Sequence, residues 1–190
     1  MKNVYKIILF LLLSNYVPNV GFAQRIEVPN SFRQILKQAG ISFIVPVESG
    51  YKDFEPHLNQ YKQYDFGLQS KKEKLEIRYA ITPYDEKDVM SMNPHLLTMQ
   101  AVASIASNED DYIITAIEMA EHDAKHDFNA DWGMIYFFIP KDAFSMKPHC
   151  RMIALHKEEK GTAFVFYLFK NTDNEALDKR YFALEFQDDL

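Results

Sequence analysis

Cysteine is nearly absent: Cys150 is the only one in 190 residues, so no disulfide framework forms within the chain. Glycine and proline are scarce, 6 and 8, which excludes collagen-like and low-complexity classes. There is no excess of positive charge. The formal net charge is −6, which argues against nucleic acid as the partner, because phosphate binding needs a basic surface. No G-x-S-x-G elbow occurs, and Gly133 and Gly161 stand isolated rather than in a phosphate-cradling loop. The longest early apolar run, Ile7 to Leu13, falls far short of the roughly 20 residues that span a bilayer.

That short run has another meaning. Lys2 and Lys6 precede it, and Gly21-Phe22-Ala23 offers small residues where a signal peptidase reads them. Residues 1–23 are therefore predicted to be a cleaved signal peptide, and 24–190 a single domain, exported to the periplasm or secreted. No Cys follows the run to carry a lipid anchor. The lost segment holds two Lys and no acid, which moves the net charge from −6 to −8. No second segment of the mature chain approaches spanning length.

What is present is apolar and aromatic. Hydrophobic residues are 47% and aromatics 14%, enough for a packed core in a domain of this size. Phe32, Ile35, Leu36 and Ala39 recur at helical spacing, with Ser31 and Gln34 fitting a capping box and Gly40 a stop. Ile41 to Val47 reads as a strand. Residues 48–63 read as polar and irregular. Tyr64, Phe66 and Leu68, then Leu75, Ile77, Tyr79 and Ile81, alternate with polar or small residues around a Lys72-Glu73 turn. Pairing Ser70 with Leu75 puts Leu68 opposite Ile77 and Phe66 opposite Tyr79, with both apolar sets on one face.

Asn93-Pro94 opens a helix that runs to near Asn108, and a second is predicted from Asp110 or Asp111 to about His126. Trp132 to Ile139 is apolar on both faces and reads as a central strand. Cys150 to Lys157 and Thr162 to Lys170 form a hairpin, with Lys157 set against Thr162, Leu155 against Phe164 and Ile153 against Phe166. Thr172 and Glu175 suggest a C-terminal helix carrying Leu177, Tyr181 and Leu184. Phe182, Leu184 and Phe186 also alternate as a strand would, but the cap favours helix. The sum is an α+β domain: a six-stranded, mainly antiparallel sheet flanked by helices, an α/β/α sandwich.

This order resembles the PsbP/Mog-type family, which includes photosystem extrinsic subunits, a Ran-binding nuclear transport factor and bacterial envelope proteins. The resemblance is carried by ISFIVP, by the hairpin YDFGLQSKKEKLEIRYAITP, by the late strands WGMIYFFIP, CRMIALHK and TAFVFYLFK, and by an amphipathic end. It implies a non-enzymatic module that binds partners, and it supplies no catalytic residues.

The sharpest local chemistry is Glu118, His122 and His126. His122 and His126 have the i, i+4 spacing of a zinc-binding helix, with Asp123 where H-E-x-x-H has Glu, and Glu118 lies one turn earlier. That admits a zinc-dependent hydrolase. Against it, a helix with Ile113, Ile117, Ala120, Ala124 and Phe128 inward turns both His outward, as a solvated face does. Cys150, with His149 adjacent and His156 further on, reads as a buried core residue at a strand start rather than a nucleophile. His57 and His95 fall in a loop and a first helical turn. The late-strand aromatics admit a pocket for an apolar ligand. The expectation is an exported, non-enzymatic protein that binds an envelope protein or a small ligand. The alternatives are a zinc hydrolase and a carrier of an apolar small molecule.

Overall fold

The computed structural model describes residues 26–56, 63–109 and 113–188. The predicted signal peptide, His57 and the predicted helix start at Asp110 lie outside the described residues. Helix α1 (Asn30–Gln38) buries Phe32 and Leu36, as its stripe predicts. It starts one residue before Ser31, so the expected Ser31–Gln34 box does not form. Pro29 precedes it with φ −62°, and the Pro29 carbonyl accepts from the Arg33 N–H at 3.0 Å. Gly40 closes the helix with φ +58°, a left-handed conformation that costs glycine little.

Strand β1 (Ile41–Phe43) is shorter than predicted and does not join the main sheet. It pairs antiparallel with β9 (Leu184–Phe186) in a separate two-stranded ribbon. A short strand in the supposedly irregular stretch, β2 (Lys52–Phe54), pairs with β3 (Phe66–Ser70). The Phe54 ring lies over Gly67 in this pairing, where a Cβ would displace it. Strands β3 and β4 (Leu75–Pro83) pair in the predicted register: Ser70 faces Leu75, Leu68 faces Ile77 and Phe66 faces Tyr79.

Helix α2 (Pro94–Ile105) begins as its sequence says, with Asn93 Oδ1 accepting from the Leu96 N–H at 3.0 Å. The next prediction is corrected. The residues expected to form one helix to His126 split into strand β5 (Thr115–Glu118) and helix α3 (Glu121–Phe128). The β-branched run Ile113-Ile114-Thr115 favours extended backbone, and the helical spacing of Ile113 and Ile117 is coincidental. Only Ala124 and Phe128 form the buried stripe of α3.

Strand β6 (Trp132–Phe138) is second from the sheet edge, not central; β5 lies outside it. Strands β7 (His149–Lys157) and β8 (Gly161–Phe169) form the late hairpin one residue away from the predicted register. Lys157 faces Gly161, Leu155 faces Ala163 and Ile153 faces Val165. The connection holds three residues, Glu158 to Lys160, with Glu159 at φ +59° and Gly161 at φ +119°. All nine positions of β8 are buried, so an apolar pattern cannot choose between registers there. The predicted C-terminal helix shrinks to α4 (Ala176–Lys179), and the alternating Leu184 and Phe186 belong to β9. Asn174 Oδ1, not Thr172, accepts from the Ala176 N–H at 3.0 Å.

The main sheet thus has seven strands rather than six, all antiparallel, in the order β2-β3-β4-β8-β7-β6-β5. One face packs Phe164, Phe166 and Met152 against α2 and Phe144. The other packs Ile77, Tyr79 and Val165 against α1, α3, α4 and the β1–β9 ribbon. That second cover is therefore a mixture of helix and strand, not a helical layer. No helix among the described residues is long and apolar enough to cross a membrane.

Candidate functional site

A cavity of about 1140 Å³ opens between α1, β1 and the loop that follows β1. Its walls are Ile26, Val28, Leu36, Ile41, Phe43 and Val45. Strand β1 is only three residues long; the Ile44 N–H makes one further bond to the Ala183 carbonyl at 3.0 Å, and the chain from Val45 to Tyr51 then runs as a loop that lines the opening. Arg33, Lys37 and Lys52 stand at the lining, and among the described residues no acid does. Arg33 Nε donates to the Val28 carbonyl at 3.0 Å, which ties its guanidinium to the wall residue Val28.

The far wall is held by a polar clasp. Tyr51 is buried, and its hydroxyl donates to Glu73 Oε2 at 2.5 Å. Arg180 grips the same carboxylate in a fork, Nε to Oε2 at 3.0 Å and Nη2 to Oε1 at 2.6 Å. Its Nη1 lies 3.2 Å from Glu48, and its guanidinium sits 5.2 Å from the Tyr51 ring centroid. Ser70 Oγ donates to the Ser49 carbonyl at 2.6 Å. Burial opposes ionisation of Glu73, but hydrogen bonds from Arg180, Ser49 and Tyr51 outweigh it and hold the carboxyl at about 2. Burial, reinforced by the Glu73 carboxylate, pushes the Tyr51 phenol well up, so Tyr51 stays neutral. The clasp joins the loop before β2, the β3–β4 turn and α4 around one anion. None of its charges faces a reactive geometry; it fixes the cavity wall.

The residues singled out in the sequence sit elsewhere. Glu118 ends β5, while His122 and His126 lie on the outer side of α3 with side chains 83% and 85% exposed. Each His meets its neighbour instead: His122 Nε2 lies 2.9 Å from Asp123, and His126 Nδ1 lies 2.8 Å from Asp127. The Asp127 hydrogen bond raises the His126 pKa. Among the described residues no three His, Cys, Asp or Glu side chains converge as a metal site.

Cys150 is fully buried, and that burial drives its thiol pKa well up, away from thiolate chemistry. His149, next to it, packs on Phe169 across the ring faces at 5.6 Å. His156 is six residues along the same strand, about 20 Å away at the usual strand rise. It is buried, with Nδ1 3.0 Å from Thr162 Oγ1, and burial lowers its pKa. His95 sits edge-on to Trp132 at 4.6 Å. Sequence reasoning missed the clasp. Glu73 read as a turn residue, Tyr51 lay in a stretch read as irregular, and Arg180 is 107 positions from Glu73, a separation no local pattern bridges. Neither protein-family models, nor curated proteins, nor solved structures give a match to this chain.

Proposed function

We propose that this chain is an exported, non-enzymatic carrier that holds an apolar small molecule in the cavity beside α1. The carrying observation is the cavity itself, about 1140 Å³ with aliphatic and aromatic walls. That is at or above the roughly 300–1000 Å³ usual for small-molecule sites, and an acyl chain or a polycyclic skeleton fits such a space. Three cations, and no acid among the described lining residues, favour a ligand whose polar end is anionic. The resemblance to the PsbP/Mog type points in the same direction, toward binding rather than catalysis. The signal-like N-terminus supports delivery outside the cytoplasm.

Native mass spectrometry of the protein, purified without detergent from its own host's envelope, tests this. The expected result is a second mass that leaves on denaturation, together with uptake of a fluorescent fatty-acid probe that Val45→Trp weakens by narrowing the space. A bare mass and a probe that binds Val45→Trp as well as the native chain would overturn the reading.

A further inference from the structure

The two edges of the seven-stranded sheet are built differently. At one edge, β2 is three residues long and carries Lys52 and Asp53, which blunt it against pairing. At the other, every residue of β5 is exposed, and large apolar side chains stand on it, just before it and beside it. Ile113 is 81% exposed, Ile117 is 49%, and Phe137 on the neighbouring β6 is 37%. Over Ile113 to Met119 the only charge is Glu118.

The backbone of this edge is open. The Met119 N–H donates to the Gly133 carbonyl of β6, so in an antiparallel ladder Thr115 and Ile117 also turn their backbone groups toward β6. Ile114, Ala116 and Glu118 then turn theirs outward, and β5 ends the sheet among the described residues. We infer that β5 pairs antiparallel with β5 of a second copy of this chain, about a two-fold axis at Thr115.

The sequence is self-complementary in that register. Thr115 meets Thr115 of the second copy, and Ile113 meets Ile117 on both sides of the axis, on the face that carries Phe137. The Ile114 and Ala116 backbone groups exchange hydrogen bonds across it. The two Glu118 carboxylates fall at opposite ends, about 20 Å apart along the strands, so the lone charge of the segment is never set against itself. A two-fold contact of one strand with itself also closes, which leaves no open edge at β5 for further addition. A generic partner strand would need to match this apolar pattern; a second copy does so by symmetry.

Sedimentation of the full chain, as purified from its host, reads the assembly directly. A dimer is expected. Ala116→Pro removes only an outward-facing donor, which an edge strand tolerates, and is expected to sediment as a monomer with an unchanged circular-dichroism spectrum. Thr115→Cys is expected to oxidise to a covalent dimer, since non-hydrogen-bonded antiparallel partners lie about 4.5 Å apart at Cα, within disulfide reach. Glu118→Cys is not expected to cross-link. Should Ala116→Pro fail to fold, Ile117→Lys, at a half-exposed position of the edge, is expected to give the monomer in its place. A native chain that stays monomeric well above micromolar concentration overturns the proposal. So does a dimer that survives the folded disrupting variant, or one in which Glu118→Cys cross-links and Thr115→Cys does not.

Discussion

The two faces of the sheet each bury one arginine, and they use it differently. On the face under α2, Arg78 pairs with a neighbouring acid on its own strand and also reaches the segment before β7. Its Nε donates to Glu76 at 2.7 Å, its Nη1 donates to the Phe144 carbonyl at 2.6 Å, and the Tyr64 and Phe144 rings lie 4.7 Å away. On the face under α1, Arg151 reaches out to the C-terminal segment. It donates to the Leu177 carbonyl at 2.5 Å, its ion partner Asp178 is 3.7 Å away and exposed, and its Nε has no hydrogen-bond partner among the described residues. Arg180 and Glu73 add the clasp on this same face. The α2 face is covered by one twelve-residue helix whose inward side chains are mainly apolar, and whose last carbonyls, from Ala103 to Ile105, accept hydrogen bonds from Lys141. The α1 face is covered by short pieces, none longer than nine residues, which polar side chains must tie down. Where a cover is tied at points rather than packed along its length, space is left between the ties. The cavity lies in that space.

Core truncation should separate the faces most. Phe166→Ala, on the filled face, is expected to cost about 3–5 kcal/mol, because the surrounding side chains are fixed by their own packing. Leu36→Ala, on the cavity wall, should sit at the low end for its type, about 2 kcal/mol, because the lost atoms border space that already exists. Chemical denaturation of both variants measures the difference. If Leu36→Ala costs as much as Phe166→Ala, the cavity wall is packed as tightly as the core and the contrast between the faces fails.

Breaking the clasp comes next. Glu73→Gln removes one carboxylate that serves Arg180 and Tyr51 together, and leaving such partners short costs about 1–3 kcal/mol. The pH dependence follows from the lowered pKa. Glu73 titrates near 4.5 in the unfolded chain and near 2 in the folded one. Its stabilisation is therefore fully present above about pH 4.5 and is lost as pH falls through about 2. Unfolding midpoints followed from pH 5 to pH 2 should fall less steeply in Glu73→Gln than in the native chain. The Val45 wall should loosen with it, so probe uptake by the cavity should weaken while the α2 face keeps its amide protection.

How far the sequence carries depends on what fixes each element. The β3–β4 hairpin is legible to the residue because one set of alternating side chains, Phe66, Leu68, Ile77 and Tyr79, must share a face. Helix α2 is legible because Asn93 and Pro94 act locally. The β7–β8 register slips by one because both faces of those strands are buried and only the Gly161 turn chooses. Strand β5 is misread as helix because Ile113 and Ile117 satisfy both periods, and only its place beside β6 decides. The ribbon of β1 and β9 joins residues some 140 positions apart by their pairing, and the clasp joins residues 107 apart. Contacts of that kind are products of the fold, so the cavity they frame leaves no mark in any window of the sequence.

The smallest effects sharpen the same contrast from outside. Asp178→Asn tests whether the Arg151 ion pair holds the C-terminal segment. The pair is 3.7 Å apart and its acid is 92% exposed, so salt and water screen it, and the change should stay within about 0.5 kcal/mol. His122→Ala and His126→Ala should leave the melting curve unchanged, because both side chains project from α3 and meet a neighbouring Asp in open solvent. Thermal melts of the three variants should overlay the native curve, and raising the salt should erase whatever difference remains. A loss of several degrees in Asp178→Asn would mean that a surface pair does the holding here, and the tie would then move from the Leu177 carbonyl to the carboxylate. The carbonyl is the better anchor on physical grounds. It is buried with the guanidinium, it is never protonated, and Arg151 reaches it at 2.5 Å while also lying 5.0 Å from the Tyr167 ring centroid.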